Sequence, residues 1–212
     1  MMLPVPAAAS TDEQLWLNVT VQGPVAGPVV YFAEIQPRFG DGISTLDQRL
    51  LRGAAGLRLS DAVSVHQGYA RVVTPQPTGP ADREDRSFQQ VSWSMGSIGR
   101  GRLSSRFRLE QRWRSDGRDT GWRARGQLRF AHPLDAGEAP VSALGWVEGF
   151  FHLNDTDWGT RTGFDRVRSF AGVELPMSGR STIEAGYLNQ VVRSGGDTTM
   201  QHVAALTLML RR

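Results

Sequence analysis

Between Arg100 and Arg114 the chain alternates without interruption. Even positions carry Arg100, Arg102, Ser104, Arg106, Arg108, Glu110, Arg112 and Arg114. Odd positions carry Gly101, Leu103, Ser105, Phe107, Leu109, Gln111 and Trp113. Successive side chains of a strand point to opposite faces, so this segment is a strand with one charged face and one apolar face. The next segment repeats the pattern. Arg123, Arg125, Gln127 and Arg129 share one face; Trp122, Ala124, Gly126, Leu128 and Phe130 share the other.

The same period runs through almost the whole chain, punctuated by turn residues, and no stretch supports a helix of three turns. This is the all-β pattern. Eleven segments read as strands: Glu13–Gln22, Val29–Arg38, Asp47–Leu59, Val63–Val73, Glu84–Met95, Arg100–Arg114, Trp122–Ala131, Ala143–Asn154, Phe164–Leu175, Thr182–Val192 and Thr199–Leu210. Single-chain bacterial barrels normally have an even number of strands, so ten or twelve is expected.

A soluble sheet with one wet face would alternate in the same way. Four features favour a transmembrane β-barrel of the outer membrane. The polar faces carry both signs, with Glu34, Glu84, Glu110, Glu148, Glu174 and Glu184 set among the arginines. The apolar faces mix Gly and Ala with Leu and Phe, which suits lipid better than a packed core. Trp16, Trp93, Trp113 and Trp122 sit near strand ends, as interfacial girdles do. The connections sort by length: Ser60-Asp61, Gly96–Gly99 and Pro176–Gly179 are short, while Pro75–Arg83 and Asp155–Gly163 are long. Short periplasmic turns and longer extracellular loops are the outer-membrane arrangement.

Composition agrees. No run approaches the roughly 18 apolar residues of a transmembrane helix. A barrel strand needs only about 10 residues with every second one apolar, so a mean hydropathy of −0.32 is no objection. There is no cysteine, hence no disulfide framework. All 24 basic residues are arginine, which stays charged and pairs bidentately with carboxylates. The net charge is only +3, and the interleaved acids argue against a nucleic-acid surface. At the N-terminus, Pro4-Val5-Pro6-Ala7-Ala8-Ala9 leads into Ser10-Thr11-Asp12-Glu13. This resembles the end of a secretory signal with an A-x-A cleavage site. Residues 1–12 are therefore expected to be a signal remnant or disordered N-terminus, and 13–212 a single barrel domain.

The interior is expected to be lined by Glu34, Arg38, Arg52, Arg102, Arg106, Arg108, Glu110, Arg112, Arg123, Arg125, Arg129, Glu148, Arg166, Arg168 and Glu184. Unpaired buried charge costs several kcal/mol, so arginine and glutamate on facing strands must pair. The result is either a salt-bridged interior that closes the barrel or, because arginines outnumber acids, a narrow pore preferring small anions. An enzymatic alternative is a lipid A or other lipid hydrolase or acyltransferase with its site at the extracellular rim. Its weak candidates are His152, Asp155 and Asp157, with His202 nearby, since a His–Asp pair can serve as general base. No G-x-S-x-G nucleophile elbow is present, Asp155 and Asp157 lack a recognised calcium-loop spacing, and His202 reads as outward-facing. No cofactor or metal is expected. Expected partners are outer-membrane lipid, lipopolysaccharide and, during biogenesis, the barrel-assembly machinery.

Several short motifs, in order and spacing, carry a family resemblance from Leu15 to Leu210. They are Leu15-Trp16, Glu34-x-Gln36-x-Arg38, Gly68-Tyr69, Arg108-x-Glu110-x-Arg112, Glu148-x-Phe150-x-x-Leu153-Asn154, Phe164-Asp165-x-x-Arg168, Gly186-Tyr187-Leu188-x-Gln190 and His202-Val203. The chain resembles the bacterial outer-membrane β-barrel family of unknown function numbered twenty-four ninety. The resemblance implies an outer-membrane location and supplies no catalytic roles. Such barrels usually end in an aromatic residue; here Ala204, Leu206, Leu208 and Leu210 lead to Arg212 instead.

Overall fold

The computed structural model describes residues 12–194 and 197–212. The proposed signal remnant at Ala7-Ala8-Ala9 lies outside them. The described residues form eleven strands and no helix. They are β1 (Asp12–Ala26), β2 (Val29–Gly40), β3 (Thr45–Arg58), β4 (Val63–Thr74), β5 (Asp82–Ile98), β6 (Gly101–Arg114), β7 (Gly121–Pro133), β8 (Ser142–His152), β9 (Gly163–Pro176), β10 (Thr182–Ser194) and β11 (Asp197–Arg211). Each pairs antiparallel with the next, and β1 pairs with β11 to close an up-and-down barrel.

The expected even count is wrong, for a geometric reason. In a meander every strand reverses direction, so the eleventh runs the same way as the first. Closure is then parallel, with Leu15 opposite Ala204, Val19 opposite Leu208 and Gln22 opposite Arg211. Consequently β1 begins at one end of the barrel and β11 finishes at the other. The end carrying the β1–β2, β3–β4 and β5–β6 reversals is called the turn end below, and the opposite one the loop end.

The sorting of connections by length holds in part. The β4–β5 and β8–β9 loops lie at the loop end as expected, but the eight-residue Leu134–Val141 connection lies at the turn end, and the short Asp41–Ser44 turn at the loop end. The reversal expected at Gly96–Gly99 is also displaced. Gly96 (φ 106°) sits in a bulge between Ser94 and Gly96, β5 continues to Ile98, and Gly99 (φ 59°) makes the turn. Both backbone conformations favour glycine.

The alternation assigns the two surfaces. The outside carries Ile35, Leu51, Tyr69, Val91, Phe107, Leu128, Val147, Phe151, Tyr187 and Leu206, all at least 41% exposed. Trp93 stands outward near the turn end, opposite Val63, while Trp113 and Trp122 stand outward near the loop end. Trp16 does not belong with them. It is 4% exposed and points inward with Gln14 and Thr20, because Leu15, Leu17, Val19 and Val21 occupy the outer positions of β1.

Inside, two apolar clusters flank the charged layers. Trp16, Ala131, Leu144, Phe170, Leu188 and Val203 form one; Phe32, Ala70 and Phe88 form the other. Their large rings lie over strand glycines. Phe88 covers Gly68, and Phe170 covers both Gly172 and Gly186, where an added Cβ would collide with ring and backbone. Glycine there is required for close approach rather than for backbone freedom.

Candidate functional site: an arginine–glutamate lumen

The inward ladder of β6 meets acids on neighbouring and facing strands. Glu110, 1% exposed, lies at the centre. Its Oε2 accepts from Arg123 Nε (2.9 Å) and Nη2 (2.5 Å), and its Oε1 accepts from Arg125 Nη1 (2.8 Å). Arg125 extends the chain by donating Nη2 to Glu148 (2.9 Å), which also accepts from Arg106 Nη2 (2.9 Å). Toward the loop end, Glu84 binds Arg86 and Arg112 (2.7 and 2.5 Å). Toward the turn end, Arg129 bridges Glu174 and Glu184 (2.5 and 2.9 Å), and Arg102 reaches Glu174 across the lumen (2.9 Å). Glu34 takes Arg52 (2.7 Å). Each of these six glutamates therefore holds at least one guanidinium, as the cost of isolated buried charge demands.

Other arginines are held differently. Arg38 donates to the side-chain carbonyls of Gln36 (Nε 3.2 Å, Nη2 2.7 Å) and Gln48 (Nη1 2.9 Å). Arg168 donates Nε to Gln190 (2.6 Å). Arg108 donates Nε and Nη2 to Gln90 (3.0 and 2.5 Å); its Nη1 lies 3.7 Å from Glu110 and makes no hydrogen bond. Aromatic faces supply further contacts. Arg108 lies over Phe88 (4.4 Å), Arg125 over Phe150 (4.5 Å), and Arg38 and Arg168 over the same Trp16 ring (3.9 and 4.8 Å).

These side chains leave a cavity of about 710 Å³ that runs from the β3–β4 turn, at Ser60 and Asp61, up to Arg112 and Arg123. Thirteen arginines and five carboxylates line it, so its wall is strongly cationic. A second space of about 550 Å³ lies under the β8–β9 loop, and Arg112 and Arg166 border both.

All fifteen residues expected to line the interior project from inward positions; Arg102 is the most open, its side chain 59% exposed at the turn end. The weak catalytic set is not assembled. His152 is buried, and the carboxylate facing its Nε2 is Asp165, at 3.3 Å. Asp155 and Asp157 tie down loops instead. Asp155 Oδ1 accepts from Thr162 N (2.7 Å), and Asp157 Oδ2 from Arg118 N (2.9 Å). These bonds hold both carboxyls below the usual carboxylate range, led for Asp155 by the Thr162 amide and for Asp157 by the Arg118 amide. Asp165 was missed from sequence because a register shift between Phe150 and Phe151 turns both Asp165 and Arg166 inward. Bulges re-aim side chains in this way, and strict alternation does not reveal them. His202 faces outward and pairs with the Tyr187 hydroxyl. No cluster of potential metal ligands occurs among the described residues.

The family model described as protein of unknown function (DUF2490) matches residues 13–201. The chain belongs to this family. The DUF2490 chain is also 52% identical, over 201 residues, to an uncharacterized protein of Methylorubrum extorquens; the match covers 94% of this chain and 88% of that protein. No solved structure matches. The fold and lumen of this DUF2490 member are thus an eleven-strand closed barrel with a buried arginine–glutamate interior.

Proposed function

We propose that this protein is an integral outer-membrane barrel whose lumen is closed by its own ion pairs and serves chiefly to hold the barrel rigid. The carrying observation is the inversion of polarity. Large apolar side chains are exposed around the outer wall, while Glu110, Arg108, Arg123, Arg125 and Glu148 are each no more than 6% exposed inside. Contiguous apolar surface of this extent marks a membrane or partner surface, and a closed barrel satisfies its backbone without water. The test is heat-modifiable gel mobility combined with fractionation. A band that does not shift on boiling, recovered in the soluble fraction, refutes the reading.

The arginine excess in the 710 Å³ cavity favours a second reading, a narrow anion-preferring pore. Planar-bilayer recording separates the two. A closed lumen is silent; a pore gives conductance steps whose anion preference falls when Arg106 and Arg108 are neutralised.

A further inference from the structure

We infer that Arg38 and Arg168, set around Trp16, form a binding site for a small oxyanion carrying a carboxylate or phosphate. This deepens the view of the lumen as cationic and does not depend on whether the barrel conducts.

The observation is a division among the buried arginines. Those at Glu34, Glu84, Glu110, Glu148, Glu174 and Glu184 have an internal counter-charge. Neither Arg38 nor Arg168 is in an ion pair among the described residues; Glu148 stands opposite Arg168 on the neighbouring strand, but its Oε1 is already taken by Arg106 and Arg125. Glutamine carbonyls hold Arg38 and Arg168: Gln36 and Gln48 for the first, and Gln190 for the second. An amide carbonyl orients a guanidinium as a carboxylate does but adds no counter-charge of its own. Arg168 is only 9% exposed; a cation so buried requires a partner. Its Nε is taken by Gln190, and both arginines border the cavity.

The supports are themselves fixed. Gln190 gives its amide N–H to Gln201, so its carbonyl faces Arg168. The indole N–H of Trp16 is held by Gln14 Oε1 (2.9 Å), which anchors the ring both guanidiniums lie against. The Nη groups of Arg168, with the remaining donors of Arg38, present the planar, bidentate N–H pattern that suits carboxylate and phosphate. The cavity reaches the Ser60–Asp61 turn, so the occupant is a soluble anion entering from water.

The test uses the full chain folded in detergent, titrated calorimetrically with inorganic phosphate, acetate and short-chain phosphatidic acid, with tryptophan fluorescence as a second readout. Saturable phosphate or acetate binding that perturbs Trp16 emission, and loses that signal in Trp16→Phe, is expected. Arg168→Gln and Gln190→Glu should each weaken binding by about tenfold or more, the effect of losing one strong charge-assisted contact. Arg83→Gln on the outer face should bind as wild type. Gln190→Glu is the decisive variant. It keeps an acceptor on Arg168 and supplies an internal counter-ion, and the Gln201 amide can turn to donate in place of the lost Gln190 N–H, so binding falls while thermal stability does not. It also remains informative if Arg168→Gln fails to fold. Absence of saturable phosphate and acetate binding, or wild-type affinity in Gln190→Glu, overturns the site. Binding of phosphatidic acid alone overturns the soluble occupant and assigns the site to a lipid headgroup.

Discussion

Substitution of Glu110 by glutamine tests whether the lumen lattice stabilises the barrel. Glu110 receives three donor bonds from two guanidiniums, with a third guanidinium, Arg108, at 3.7 Å. Glutamine preserves shape and one acceptor oxygen. If that oxygen stays on Arg123, its two bonds survive in weaker form, and Arg125 loses the bond to Oε1 while keeping Glu148 at 2.9 Å. A charge-assisted hydrogen bond contributes about 1.5–3 kcal/mol. Beyond that, Arg123 retains, among the described residues, only Asp165 at 4.0 Å as a paired counter-charge. Breaking a buried pair from one side costs about 3–5 kcal/mol, and Glu110→Gln is expected in that range. Urea unfolding in micelles or bilayers, followed by tryptophan emission, measures it. Adding Arg123→Gln should recover part of the loss, since the stranded cation is then gone. Arg161→Gln is the surface control. Its pair with Asp155 is exposed and screened by solvent, so this variant should unfold as wild type does. If Glu110→Gln unfolds within about 1 kcal/mol of wild type, water screens the lumen and the lattice is not what holds the barrel.

Phe107 lies midway along β6 on the outer face, 53% exposed; Phe107→Arg should destabilise a lipid-embedded barrel by about 2–4 kcal/mol, and a near-neutral effect on folding into bilayers would argue for a water-facing wall. Trp16→Ala removes a ring that Arg38 and Arg168 both contact; the lost burial alone costs about 3–5 kcal/mol, and amide exchange should rise first in β1 and β11. Uniform loss across all strands would contradict a local role for Trp16 at the seam. Asp155 and Asp157 have carboxyls held below their ordinary range, so the loop order they give is complete above the unfolded value of about 3.9 and lost as pH falls through the lower folded value. Exchange protection of the Arg118, Asp119 and Thr162 amides should therefore persist at about pH 5 and vanish only in stronger acid; loss already near neutrality would refute the assignment.

Much of the barrel is legible in the sequence because period two is a direct image of geometry. The ladder from Arg100 to Arg114 requires two opposed faces, and the structure has them. Local breaks in the period are less legible. The bulge at Asp165 leaves no mark in composition, yet it supplies the acid that His152 faces. Gly96 gives a turn signal but sits in a bulge, since glycine with positive φ serves both equally well. Trp16 is a different kind of miss. The alternation that sends Leu15 and Leu17 outward already sends Trp16 inward, and the girdle expectation conflicted with it. The even strand number is a rule of bacterial barrels in general, and no residue pattern records which end β1 starts from.

Parity and the lumen site are connected through the seam. A parallel pair has slanted hydrogen bonds and is slightly less stable per residue than an antiparallel one, so β1–β11 is the intrinsically weaker junction. Trp16 projects inward from β1 at this junction, opposite Ala205 of β11. Arg38 approaches it from β2 on one side, and Arg168 from β9, beyond the seam, on the other. Each cation–π contact contributes about 0.5–2 kcal/mol, more when desolvated. Phe170 and Leu188 pack in the same cluster as Trp16, so apolar burial from β9 and β10 also crosses the seam. The interior thus reinforces the junction that the odd strand number makes weakest. An anion shared by Arg38 and Arg168 would relieve the repulsion between the two cations and tighten the same junction.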